Sequence, residues 1–154
     1  MSRSLLIGML ACLLLGACMS RTPSPAEPQP TPAAPLKTWS LRLVQSGGIM
    51  GLLRSVDVSS DGRMTVTDQR ADQTVSRELT AEELARLGEL VAQASDTASK
   101  NPAVCADCFV YEVTLERDAG GTLAATVDDV NLADSGLAPL IHALRALMDK
   151  ALQP

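Results

Sequence analysis

Alternation of apolar and polar residues predicts strands in two parts of the chain. Residues 39–43 read WSLRL and residues 109–115 read FVYEVTL, a period of two that places every second side chain on one face of a sheet. Ser60-Asp61-Gly62-Arg63 suits a tight turn between two shorter runs of the same character. We expect a mostly antiparallel sheet of about five strands, drawn from residues 39–43, 52–59, 64–68, 109–115 and 123–127, with 74–79 continuing it after a polar bend.

Apolar residues at three-and-four spacing predict two helices. The first begins at Thr80, which stands three residues before Glu83 in a capping box, and ends by Thr97. Glu82 also lies near the positive end of this helix, so helix electrostatics explains the acidic pair without a catalytic role. The second helix spans roughly 137–152. The pattern therefore predicts an α+β fold in which both helices pack on one face of the sheet.

The beginning of the chain has the organisation of a signal peptide over residues 1–17. Arg3 precedes the apolar run 5–15, which would form only about 16 Å of helix, half of a bilayer core. The run ends in Leu15-Gly16-Ala17-Cys18, which resembles the lipobox of bacterial lipoproteins. The resemblance implies a mature chain that starts at Cys18, with diacylglycerol on the thiol and acyl chains such as palmitate in the anchor. The alternative is an ordinary signal peptide with an incidental cysteine.

The lipobox resemblance also implies a location. Met19 stands where an aspartate tends to retain lipoproteins at the inner membrane, so we expect the bacterial cell envelope and, in a Gram-negative organism, the outer membrane. Residues 18–36 follow as a proline-rich linker with six of the nine prolines. Proline disfavours both helix and sheet, so eighteen extended residues would reach roughly 55 Å. We interpret this segment as a tether, with a proline-motif ligand as the alternative, and place the folded domain at 37–154.

The amino-acid composition argues against several classes of function for this domain. The net charge of −5 is unlike that of a general nucleic-acid binder, and the 2% aromatic content disfavours a base-stacking sheet. The single histidine, His142, excludes multi-histidine zinc sites and leaves little room for a Ser-His-Asp triad. We expect His142 to be a partly exposed helix residue. The chain therefore offers no legible enzyme site, metal site or cofactor site.

Two further groups of residues carry candidate chemistry. Cys105 and Cys108 form a CxxC pair without the two additional ligands that a zinc site needs, and outside the strand-to-helix setting of thioredoxin-type sites. In an oxidising compartment we expect a disulfide. Asp128, Asp129 and Asp134 match no calcium-loop spacing, and we expect ordinary solvated acids.

The least ordinary segment is Ser46-Gly47-Gly48-Ile49-Met50-Gly51. Three glycines permit positive φ, and two apolar side chains stand at the expected tip of a hairpin. Turns prefer polar residues, so this apolar pair indicates either burial under the sheet or a contact surface.

With these segments in order, residues 41–152 resemble emfourin, a family of small bacterial inhibitors of thermolysin-like metalloproteases. The resemblance rests on five segments: SGGIMGLLR with Arg54, LTAEELARLGELVAQA, Phe109-x-Tyr111, Thr126-Val127-Asp128-Asp129 and Leu137-Ala138-Pro139-Leu140. It implies a domain that binds and inhibits such a protease, and the lipobox resemblance adds the membrane anchor. The apolar pair on the glycine turn, and not the resemblance, gives the expected partner-binding residues: Gly47, Gly48, Ile49, Met50, Gly51 and Arg54. The alternative is a structural or assembly lipoprotein that binds another envelope protein.

Overall fold

A six-stranded antiparallel sheet and two helices make up residues 38–94, 105–118 and 121–153, the part of the chain that our computed structural model describes. The predicted signal peptide, the predicted lipid attachment at Cys18 and the linker predicted at 18–36 all fall outside these residues. The elements are β1 (Trp39–Gly47), β2 (Leu52–Ser59), β3 (Arg63–Asp68), β4 (Gln73–Glu78), α1 (Ala81–Gln93), β5 (Phe109–Arg117), β6 (Gly121–Asp128) and α2 (Ala138–Leu152). Across the sheet the strands lie in the order β4-β3-β2-β1-β5-β6.

The predicted α+β class is confirmed, and the predicted count of about five strands is one too few. The polar bend after β3 is a hairpin turn, so β4 returns along β3 as a complete edge strand, with Val66 opposite Val75. An edge strand buries little surface, and β4 has only two half-buried side chains, Val75 and Arg77. Its sequence therefore carries a weak apolar alternation.

The core lies between one face of the sheet and the two helices. In register, one row of side chains crosses all six strands described and centres on Leu43, which faces Val56 on one side and Val113 on the other. The buried strand side chains form one cluster with Leu87 of α1 and Leu144 of α2. Every residue of this cluster falls between positions 41 and 148, so the fragment 37–154 contains it whole. The row consists of Val75, Val66, Val56, Leu43, Val113 and Ala125.

Helix α1 begins as its sequence predicts. The Glu83 amide donates to the Thr80 hydroxyl (3.2 Å), and the Thr80 amide donates to the Glu83 carboxylate (3.0 Å), which completes the capping box. At the other end of the helix, the last carbonyls have no partner within the helix, and the Arg117 guanidinium donates to two of them, those of Val91 and Ala94. Neither helix of the described ranges is long and apolar enough to cross a membrane.

The second face of the sheet is polar. Cross-strand pairs cover it, including an ion pair between Arg42 and Asp57 (2.9 Å) and a hydrogen bond from Ser40 to Glu116 (3.1 Å). This clean division between the two faces follows from the period-two alternation of the strands.

Candidate functional site

The glycine-rich segment forms the turn between β1 and β2. Gly47, Gly48 and Gly51 all have positive φ, at 96°, 70° and 60°, and the Gly51 amide donates to the Gly48 carbonyl (2.9 Å). Between them, Ile49 is 91% exposed and Met50 is 72% exposed. Of the two alternatives, burial under the sheet is therefore excluded, because the turn projects both side chains beyond the end of the strands.

Close contacts, with backbone at Gly47 and with an aromatic ring at Gly48, explain why these two positions are glycine. A Cβ atom on Gly47 would overlap the carbonyl oxygen of Cys108, and one on Gly48 would lie 2.7 Å from Cε1 of Phe109. The Gly48 amide also donates to the Cys108 carbonyl (3.1 Å). Gly51 has no atom within 4 Å of such a Cβ, so only its positive φ favours glycine. The turn is thus seated on the beginning of β5.

The neighbouring turn between β3 and β4 supports the glycine turn from the other side. The Arg70 guanidinium donates to the carbonyl of Met50. The buried Asp68 carboxylate fixes this second turn by accepting the amides of Arg70 (3.0 Å) and Ala71 (3.1 Å). The Arg54 guanidinium, which donates to Asp68 through Nε (2.7 Å), holds the pKa of that carboxyl below its usual value.

Arg54, expected at the partner-binding surface, is thus occupied within the domain. Its side chain is 29% exposed, and it also lies 3.5 Å from the Asp149 carboxylate of α2. The ion pair fastens β2 to the end of β3 and to the second helix. Arg54 therefore helps to hold the turns at this end of the sheet, and its part in partner binding stays a prediction.

A loop closed by the cysteine pair stands beside the glycine turn. The Sγ atoms of Cys105 and Cys108 are at disulfide-bonding distance, with Cα atoms 5.4 Å apart, in agreement with the predicted pairing. The buried Asp128 carboxylate accepts the Cys105 amide (3.2 Å), and the Asp129 carboxylate accepts the Phe109 amide (3.0 Å). The expectation of ordinary solvated acids is therefore wrong for Asp128, which is fully buried, and both carboxylates accept backbone amides.

The second acid also reaches a buried phenol. The Tyr111 hydroxyl donates to Asp129 (2.8 Å), and burial together with this carboxylate raises the pKa of Tyr111 to about 12. The Arg145 guanidinium lies over the same ring, 5.4 Å from its centroid. Tyr111 is therefore a neutral structural donor at physiological pH, and it joins the beginning of β5 to the loop after β6.

Three exposed large apolar side chains lie at this end of the sheet, and we call Ile49, Met50 and Val130 the apolar rim. Within the described part of the chain they are the large hydrophobic residues that are exposed, Val130 at 62%. Val130 lies in the loop after β6. The preceding residue, Asp129, is held in place because its amide donates to the Phe109 carbonyl (3.2 Å). The exposed side chains of Asp72 and Asp107 lie in loops at the same end.

Sequence reasoning did not identify Val130. Its only local signal is an apolar residue directly after two aspartates, in a loop that also contains the buried Leu132. The two turns and the cysteine loop come together there only because the strand register brings Gly47 opposite Phe109 and Val110 opposite Asp128.

The remaining candidate residues lie elsewhere. His142 is exposed on α2, beside a shallow groove between the helices, and Asp134 is exposed in the loop before α2. Within residues 38–94, 105–118 and 121–153, no three His, Cys, Asp or Glu side chains are grouped to hold a metal ion. Compared with known proteins, the chain matches no family model and no curated sequence.

Proposed function

We propose that this chain is a membrane-anchored lipoprotein of the bacterial cell envelope whose folded domain binds and inhibits a thermolysin-like metalloprotease. The observation that carries the proposal is the exposure of Ile49 and Met50 on a turn that the backbone holds firmly. Exposed apolar side chains gain nothing for the free domain, whereas full burial of one in a partner's pocket contributes about 1.5–3 kcal/mol. An apolar rim on a constrained turn is therefore suited to contact with another protein.

The segments that carry the emfourin resemblance support the same surface. In register, Gly47 lies opposite Phe109, and Tyr111 lies opposite Val127, directly before the two aspartates of the resemblance. Residues far apart in sequence thus meet where the apolar rim is exposed. This convergence favours a binding role for that end of the sheet.

The expected mode of inhibition follows from the turn. Thermolysin-like enzymes generally favour a bulky apolar side chain directly after the scissile bond, and Ile49 or Met50 would supply one. The hydrogen bond from Gly48 to Cys108 and the contact of Arg70 with Met50 restrict the turn before binding. A restricted loop loses little conformational entropy on binding, which favours affinity. In this proposal the chain acts as a binding protein and performs no chemistry itself.

Dose-dependent inhibition of a thermolysin-like protease by the fragment 37–154 tests the proposal. Val130→Asp places a charge on the apolar rim, and Thr122→Asp is the matched control, because Thr122 is exposed near the opposite end of β6. We expect inhibition by the wild-type fragment and by Thr122→Asp, and weaker inhibition by Val130→Asp. Absence of inhibition at micromolar concentration would reject the inhibitor and favour the alternative, a structural or assembly lipoprotein that binds another envelope protein.

A further inference from the structure

On the side of β5, the glycine turn rests on the carbonyl group of Cys108. The Cys108 carbonyl accepts the Gly48 amide (3.1 Å), and the α-carbon of Gly47 packs so closely on it that no side chain would fit. The next residue in the chain is Phe109, and its ring packs against Gly48. Any movement of Cys108 would therefore move the turn that bears Ile49 and Met50.

The cysteine pair closes the short loop that ends at this carbonyl. Cys105 is anchored to β6 by its amide, which donates to the buried Asp128 carboxylate. The next residue after the pair, Phe109, is anchored to Asp129. The bond between Cys105 and Cys108 closes the loop between these two anchors, while its middle residues, Ala106 and Asp107, are exposed.

We propose that the Cys105–Cys108 disulfide is a positioning element for partner binding, so that the affinity of the domain depends on its oxidation state. The inference rests on the proposed function for the partner, but its effect on the turn is independent of it. A dithiol reductant would supply two electrons and two protons. The Sγ–Sγ bond would break to give two thiols, and the reductant would become a disulfide.

Opening the disulfide should weaken partner binding more than it lowers the stability of the domain. A disulfide that closes so short a loop restricts the unfolded chain little, and the core cluster contains neither cysteine. Once the bond is open, the turn must be ordered again when the partner binds. Re-ordering roughly one backbone residue lowers the affinity about tenfold.

The test uses the full-length chain, purified in a mild detergent. The double variant Cys105→Ser/Cys108→Ser removes the bond, and Ala106→Ser introduces serine into the same loop while the bond remains. Hydrogen exchange is followed in peptides that cover 46–52, with a peptide from β3 as the internal check on the fold. We expect faster exchange in 46–52 for the double variant and for wild type reduced with dithiothreitol, unchanged exchange in β3, and wild-type behaviour for Ala106→Ser.

The same three proteins are then compared as inhibitors without added reductant, because a dithiol would bind the catalytic zinc of the protease. We expect the inhibition constant of the double variant to be about tenfold weaker, and that of Ala106→Ser to be unchanged. Equal exchange in 46–52 with and without the bond, or equal inhibition despite faster exchange, would overturn the inference. If the wild-type chain inhibits no such protease, the proposed function fails, while the exchange measurement still decides whether the disulfide positions the turn. If the double variant does not fold, with β3 exchanging freely, the bond has a general structural role and the inference is likewise overturned.

Discussion

Gly48→Ala and Gly51→Ala should lower the free energy of unfolding by different amounts, although both glycines have positive φ. At Gly51, alanine meets no neighbour, so its cost is that of a left-handed backbone, about 1–2 kcal/mol. At Gly48, the new methyl group would also lie 2.7 Å from Cε1 of Phe109. The displacement of a packed ring adds about 1–3 kcal/mol, which gives about 2–5 kcal/mol in total.

Urea unfolding of the fragment 37–154 measures both costs. We expect Gly48→Ala to lower the free energy of unfolding more than Gly51→Ala does, with similar slopes against urea concentration. In a Phe109→Ala background the ring is absent, so the two costs should become similar. Equal costs in the wild-type background, or an excess for Gly48→Ala that persists without the ring, would refute the close contact as the reason for this glycine.

The remaining predictions concern the first helix and the anchor. Glu83 accepts from Arg77 (2.8 Å) and Lys150 (2.9 Å), which hold its pKa well below the usual 4.5. Glu83→Gln should therefore cost roughly 1–2 kcal/mol at pH 7, against less than about 0.5 kcal/mol for the exposed Glu82→Gln in the same turn. Because the pKa of Glu83 is lower in the folded than in the unfolded state, its carboxylate stabilises the fold at pH values above the unfolded pKa, and this stabilisation is lost as the pH falls below about 4.5. The difference in unfolding free energy between wild type and Glu83→Gln should therefore be smaller at pH 3 than at pH 7. Equal differences at the two pH values would contradict this. Cys18→Ser should abolish partitioning into detergent, and a variant processed and fractionated like wild type would reject the lipid anchor.

Local signals in the sequence were sufficient where one short segment determines the structure. The WSLRL alternation places Leu41 and Leu43 in the core, and the spacing of Thr80 and Glu83 marks the beginning of α1. The strand β4 was not counted as a separate strand. A strand with one buried face alternates between apolar and polar residues, and β4, at the edge of the sheet, buries too few side chains to show this pattern.

The candidate site was only partly predictable because several segments build it. Glycine spacing predicted the turn at 47–51, but it did not decide whether Ile49 is buried or exposed, since that depends on the Cys108 carbonyl and the Phe109 ring. Arg54 was expected to face a partner, and its ion pair with Asp68 depends on the register between β2 and β3. A single apolar residue such as Val130 has no periodic signal.

The most direct test of the account is the ratio of inhibition constants for Ile49→Asp and the wild-type fragment against one thermolysin-like protease. Ile49 is 91% exposed, so the substitution should leave the melting temperature near its wild-type value. Loss of an apolar anchor at the centre of an interface commonly costs about 2 kcal/mol or more, which predicts inhibition weaker by at least roughly thirtyfold. Equal inhibition by the two fragments at equal stability would contradict the assignment of the apolar rim as the protease-binding surface.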